Sequence, residues 1–303
     1  MRKLWEYSRG YSVGRIYVDL VTRAGFRSVT VENADRIPRE GRIFLVPNHC
    51  AAMNDPLLLL LLRPREPIAF GARSDIFAGG AAISFLRWLR ILPIAREQDG
   101  RRELARNLDV FDEIVDIVNH DVPFCMFAEG THRPERGVMP LKKGIFRVAA
   151  MAAAEGDTPV YAVPVGIDYE FFFRPMGRVA VRVGEPVDIG ALFGNCPAGE
   201  EAKLYSRLCA DFRETLLSLT GKGFKKCRIP YLLRIVAALL SLPIFAVCAV
   251  AGSPIWLVAT LIMLGFKDKA WTYTVHFVLR LLLMPLWPFY AGFYLLLSFY
   301  SSI

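Results

Sequence analysis

The six cysteines of this chain, Cys50, Cys125, Cys196, Cys209, Cys227 and Cys248, lack any paired spacing, and two of them sit inside apolar runs. That pattern excludes a disulfide framework and a cysteine-built zinc site, so no metal is expected. No zinc-finger, RNP-type or helix-turn-helix signature accompanies the net charge of +8. The positive charge therefore points to an anionic membrane and not to nucleic acid. Internal repeats and low-complexity linkers are missing, as is an apolar segment near Met1 of the kind a secretory signal needs. The soluble part is thus expected in the cytoplasm. Charge itself is absent from two stretches: 32 consecutive positions at 235–266, and 23 at 281–303.

What is present is apolar and unevenly distributed. Hydrophobic residues make up 54% of the 303 and the mean hydropathy is +0.34, too apolar for an ordinary soluble enzyme and too charged for a polytopic transporter. The excess lies beyond residue 230, which divides the chain into an N-terminal segment (1–27), an α/β domain (28–228) and a hydrophobic helical region (229–303). Either uncharged stretch can cross about 30 Å of hydrocarbon at roughly 1.5 Å per residue. An unusually apolar domain core is the alternative, but core helices rarely stay uncharged for so long. Lys222, Lys225, Lys226, Arg228 and Arg234 precede the first stretch and Lys267 and Lys269 follow it. The positive-inside rule puts both ends on one side, which predicts a hairpin bent at Ser253 within Gly252-Ser253-Pro254. The stretch 281–303, interrupted by Pro285 and Pro288, reads as a second apolar element at the interface. Residues 1–25 mix arginines with Trp5, Tyr7, Tyr11 and Tyr17, which suits a helix in the headgroup region or a plain surface helix equally.

Between these ends, short apolar runs alternate with amphipathic ones. Strands are predicted at 28–32, 42–47, 67–71, 90–95, 121–127, 159–165 and 179–183. Helices are predicted from 56, over 73–89 with a break at Gly79-Gly80, and at 100–119, 145–154 and 200–219. In 100–119, Leu104, Leu108, Phe111, Ile114, Val115 and Val118 form the face turned to the sheet. The alternation predicts an α/β fold with a mostly parallel sheet flanked by helices.

The stretch Val46-Pro47-Asn48-His49-Cys50-Ala51-Ala52-Met53-Asn54-Asp55-Pro56 joins a predicted strand to a predicted helix, at the carboxyl end where open α/β sheets place ligands. A hydroxyl is a poor nucleophile at neutral pH and needs a base, which His49 supplies if a carboxylate such as Asp55 fixes its tautomer. An ordinary polar turn accounts for the same residues as well. Further on, Phe127-Ala128-Glu129-Gly130-Thr131-His132-Arg133 and Val163-Pro164-Val165-Gly166-Ile167 each follow an apolar run, and Leu92-Pro93-Ile94-Ala95-Arg96 closes another.

These four blocks, in this order, resemble the glycerolipid acyltransferase family over roughly residues 35–190. The best-known family spacing leaves four residues between His and Asp; here five intervene before Asp55 and four before Asn54. The longer spacing closed by Asp-Pro is similar to that of one bacterial and fungal branch, which favours Asp55. His132 stands where the family usually has Arg, so Arg133 is expected to take that role. The resemblance implies His49 and Asp55 as catalytic residues. It implies contacts to substrate from Asn48, Arg96, Glu129, Gly130, Thr131, Arg133 and Lys142, with Arg96 on the acceptor phosphate. Backbone amides near Gly130 or a nearby cation would meet the oxyanion, and the sequence does not choose between them. It also implies acyl-CoA or acyl carrier protein as donor, a phosphorylated glycerol acceptor, membrane lipids as surroundings and no cofactor. The catalytic domain would face the cytoplasm at the inner membrane. An amino-acid-derived lipid acceptor, or an inactive membrane-anchored scaffold of the same fold, are the competing readings.

Overall fold

Side chains alternate across strand β2 (Arg42–Pro47), and its two faces seed two separate cores. Phe44 and Val46 join one, Ile43 and Leu45 the other, all of them buried. In the computed structural model, residues 3–64, 66–77, 79–95, 101–133, 135–172, 176–224, 231–266 and 271–300 are described. Arg96 falls outside them, as do Lys225, Lys226, Arg228, Lys267 and Lys269.

Around β2 the sheet contains β1 (Ser28–Glu32), β3 (Ala69–Arg73), β4 (Ile91–Ile94), β5 (Phe124–Met126), β6 (Val160–Tyr169), β7 (Arg178–Val183) and a two-residue β8 (Val187–Asp188). Its order is β1-β7-β6-β2-β5-β3-β4, with β8 also on β6. All described pairings are parallel except those of β6 with β7 and β8. The mostly parallel α/β fold expected from the alternation is therefore what forms. Helices α4 (Arg101–Val118), α5 (Gly144–Ala154), α6 (Ile189–Gly194) and α7 (Glu201–Leu219) cover the Phe44 face. Helix α2 (Asn54–Leu59), with α1 (Arg9–Arg23) behind it, lies on the Leu45 side. On α4, Ile114, Val115 and Val118 pack inward as their spacing predicts, whereas Leu108 is 62% exposed and nothing described covers it.

Beyond the sheet, the expected hairpin does not form. Residues 231–264 make one helix, α8 (Tyr231–Leu264), despite Pro243 and Pro254 inside it. Pro254 has no N–H for the carbonyl four residues earlier, which normally breaks a buried helix. Here the Ser253 hydroxyl donates to that carbonyl, Val250 O, at 2.7 Å. Gly252 serves contact rather than bending: a Cβ there would lie 2.9 Å from Tyr290 Cα. Tyr290 belongs to α10 (Trp287–Tyr300), which follows α9 (Trp271–Leu282) across a bend of 101° near Pro285. The break in the second apolar stretch thus falls where proline was expected to put it, while α9 begins before that stretch.

The N-terminal segment meets these helices. Tyr17 Oη donates to Leu281 O at 2.7 Å and Trp287 Nε1 to Ala24 O at 2.6 Å. Arg280, 3% exposed, lies where a Cβ on Gly25 would stand, its guanidinium 4.8 Å from the Trp287 ring centre. Only glycine admits that approach.

The crossing of α8 and α10 offers a direct check. A Cβ on Gly292 would lie 3.7 Å from Cys248 Cβ, within the usual disulfide range of about 3.5–4.5 Å. Gly292→Cys should cross-link to Cys248 under mild oxidation of the purified protein, read as a linked 248/292 peptide by mass spectrometry. Free thiols at both positions after oxidation would show that the helices do not cross there.

Candidate active site

The turn after β2 is built around one carboxylate. Asp55 is 0% exposed, in the first turn of α2. Its Oδ2 accepts from the backbone amides of Cys50 (2.7 Å) and Ala51 (2.8 Å) and faces His49 Nδ1 at 2.7 Å. Its Oδ1 accepts the Tyr169 hydroxyl at 2.5 Å. A fully buried anion is tolerable only with such a complement of donors. The geometry settles which residue pairs with His49. Ala52 takes a left-handed φ of 42° and absorbs one residue of the longer spacing, so Asp55 reaches the imidazole. The Asn54 amide is buried with neither side-chain atom hydrogen bonded among the described residues.

His49 sits at the rim, its side chain 15% exposed, with its ring stacked on Phe127 at 4.1 Å between centres. With Nδ1 turned to Asp55, Nε2 is the nitrogen left for a reacting partner. Behind it the backbone is clamped: Glu129 Oε1 accepts from His49 N at 2.8 Å and Oε2 from Met139 N at 2.9 Å. Burial pushes the Glu129 carboxyl above its usual range, against the two amides that favour its anion. Asn48 is likewise turned inward, its Nδ2 donating to Ile167 O (3.0 Å) and its Oδ1 accepting from Ile167 N (2.6 Å). Through this pair the apolar block 163–167 is tied to the turn.

The remaining predicted contacts face outward. Gly130 (φ 73°), Thr131, Arg133 and Lys142 are exposed, with Lys142 Cγ 3.8 Å from where a Cβ on Gly130 would stand. The Gly130 amide is not open to an oxyanion, since it donates to Phe127 O at 3.0 Å. Arg133 donates its amide to His49 O at 3.2 Å, while its guanidinium pairs with exposed Glu135 at 3.3 Å. His132, read from sequence only as a departure, places its ring 5.4 Å from that of His49. Tyr169 was missed altogether. It stands two residues past the last quoted block, and only the length of β6 brings it to Asp55.

Cys50 adjoins His49 but makes no thiolate pair with it. Burial, with Asp55 beside it, pushes the Cys50 thiol far up, so it stays protonated. A cavity of about 210 Å³, bordered by Asn48, Cys50, Arg136, Tyr169 and Phe172, backs the turn, and the imidazole does not line it.

A rim imidazole held by a buried carboxylate at the end of β2 is the setting for the likeness to known proteins. The Acyltransferase family profile matches residues 28–168. Over that stretch, just under half of the 303 residues, the chain is similar to the acyltransferases. The mouse 1-acyl-sn-glycerol-3-phosphate acyltransferase alpha is 27% identical over 208 residues, 66% of this chain and 68% of that protein. The human protein of the same name is 26% identical over 203 residues, 64% of this chain and 66% of that one. The chain thus spans about two thirds of these relatives. The crystal structure of the 1-acyl-sn-glycerophosphate (LPA) acyltransferase PlsC from Thermotoga maritima aligns over 72% of this chain and 86% of that one, with 22% identity and a TM-score of 0.47.

The Glu129 clamp makes a pH-dependent prediction. Because its folded pKa is raised, Glu129 contributes stability that is fully present below the unfolded value of about 4.3 and is lost as pH rises through the folded value. The stability of wild type relative to Glu129→Gln should therefore fall between about pH 4 and pH 7. Urea unfolding of both proteins at the two pH values measures it, and a difference that grows with pH would contradict the assignment.

Proposed function

We propose that this protein is an acyltransferase that moves a fatty acyl group from a thioester donor, acyl-CoA or acyl carrier protein, to the free hydroxyl of a lysophosphatidate-type glycerol phosphate. The observation that carries the reading is His49 held by Asp55 through Nδ1, with Nε2 at the rim. The names of the relatives support the acceptor class. His49 Nε2 takes the hydroxyl proton as the oxygen attacks the thioester carbonyl. The tetrahedral intermediate then expels the sulfur, and the imidazolium returns the proton to the leaving thiolate. Asp55 stays ionised and holds the tautomer. Base help of this kind is worth on the order of a hundred to ten thousand fold. The reading needs no metal and no cofactor. Arg96, Arg133 and Lys142 are the cations we assign to the acceptor phosphate. Arg133 can exchange its exposed partner Glu135 for that anion at little cost.

The same reading places the enzyme on a membrane, with the catalytic domain on the cytoplasmic side. Ile235–Leu264 is long and apolar enough to cross one. At about 45 Å it exceeds a typical hydrocarbon core, which tilting accommodates. Val13, Ile16, Tyr17 and Leu20 on α1 are exposed at helical spacing, and Phe85 and Trp88 of α3 (Gly80–Trp88) extend that apolar surface beside them. Trp88 approaches Gly10 and Gly14 of α1.

Two outcomes follow. His49→Ala should abolish acylation of lysophosphatidate with the fold intact, and Asp55→Asn should cost on the order of a thousandfold or more in kcat. Asn54→Ala should keep most of its turnover. Radiolabelled acyl transfer measures all three, and the reverse order for the last two would reassign the carboxylate's role. Separately, ending the chain at residue 228 should turn a protein that needs detergent for extraction into one that high salt washes from membranes. Retention through a salt wash would place the main attachment in the N-terminal segment.

A further inference from the structure

The reaction as written does not call for a phenol, yet Tyr169 donates to Asp55 Oδ1 at 2.5 Å, on the oxygen opposite His49. We infer that Tyr169 is a positioning residue that sets the basicity of His49 by drawing carboxylate charge away from the oxygen that faces the imidazole. This rests on the reading of His49 as the general base.

The placement is constructed over several elements. Strand β2 ends its pairing with β6 at Pro47 opposite Val165. The Asn48 side chain then extends the ladder to Ile167 with two further hydrogen bonds. Tyr169 lies two residues beyond Ile167 and so on the same face, the one that packs on α2. Across the sheet, β7 pairs Val179 with it. Its ring is 1% exposed, between Phe26 at 6.2 Å and Phe172 at 5.9 Å. No rotation of the ring about its own axis moves the hydroxyl, so the phenol is aimed by the strand and the two flanking rings.

A carboxylate shares one negative charge between two oxygens. A donor on Oδ1 concentrates charge there and leaves less on Oδ2, which weakens the hold of Asp55 on a protonated His49. Take the hydroxyl away and the imidazolium is better stabilised, so His49 keeps its proton to higher pH and less of it is available as base. The other titratable groups near the pair are Glu129 on the His49 amide, His132 across the ring, and Cys50, Cys125 and Asp168 around the turn.

The test uses the full chain in detergent micelles. Tyr169→Phe keeps the ring and its neighbours. With carbon-13-labelled histidine, the His49 resonance, identified by its loss in His49→Ala, is titrated without substrate. Its midpoint should rise by roughly half a unit to one unit in Tyr169→Phe, and the acid limb of kcat/KM should move the same way. At neutral pH kcat should fall by no more than roughly threefold to tenfold, the largest loss of free base such a shift allows, with KM for the acceptor nearly unchanged. Site-specific 3-fluorotyrosine at 169, a stronger donor of the same shape, should move the midpoint downward and serves if the phenylalanine variant folds poorly. A purely structural role would lower activity without moving the midpoint. Unmoved midpoints in both variants would overturn the proposal. Because the titration needs no substrate, wild type that acylates no glycerol phosphate would sink the acceptor reading and leave this one decided on its own measurement.

Discussion

One buried negative charge organises this end of the molecule. An ionised carboxylate inside a protein costs several kcal/mol unless donors surround it, and Asp55 is surrounded from three directions. The Cys50 and Ala51 amides require the tight turn that Ala52 closes with its left-handed backbone. The Tyr169 hydroxyl requires β6 to run past the end of β2. The imidazole requires His49 to stay at the rim, which Glu129 ensures by holding its amide. Turn, strand length and clamp are separate features of the chain, and satisfying a single charge ties them together.

That dependence explains what could be read in the chain. Strand β2 and helix α7 are legible because their burial follows from period alone: six consecutive buried residues in one, Leu208, Phe212 and Leu216 in the other. The end of β6 was hidden because Asp168 and Tyr169 look like loop residues. Each is buried by a distant partner, Arg182 at 3.2 Å and Asp55 at 2.5 Å, and no local pattern announces such a pairing. The choice between Asn54 and Asp55 turned on Ala52, a residue type that seldom adopts φ above zero. The resemblance to the family pointed to Asp55, the carboxylate that the structure sets against His49 Nδ1, where periodicity had no say.

The hairpin expected at Ser253 failed for a related reason. Gly-Ser-Pro is read as a break because each residue has a local cost in a helix. In α8 each cost has a compensation that lies outside the local rule. Ser253 takes the carbonyl orphaned by Pro254, and Gly252 lets α10 approach. Helix α9 escaped notice for the converse reason: His276 and Arg280 interrupt the uncharged pattern, although both are buried, Arg280 against Gly25 and Trp287.

The residues assigned to substrate from sequence divide by burial, and the division has a physical cause. A buried polar group that relied on substrate for its hydrogen bond would stand unpaired whenever the site was empty, at about 1–3 kcal/mol each. Asn48 and Glu129 are buried, and both are fully engaged with backbone partners, so they hold the site rather than contact what enters it. Gly130, Thr131, Arg133 and Lys142 are exposed, where water serves until a ligand arrives. Asn54 is the exception, 1% exposed with its whole amide unpaired among the described residues. It sits beside Asp55 in the first turn of α2, so the desolvation it carries is borne at the element that presents the carboxylate to His49.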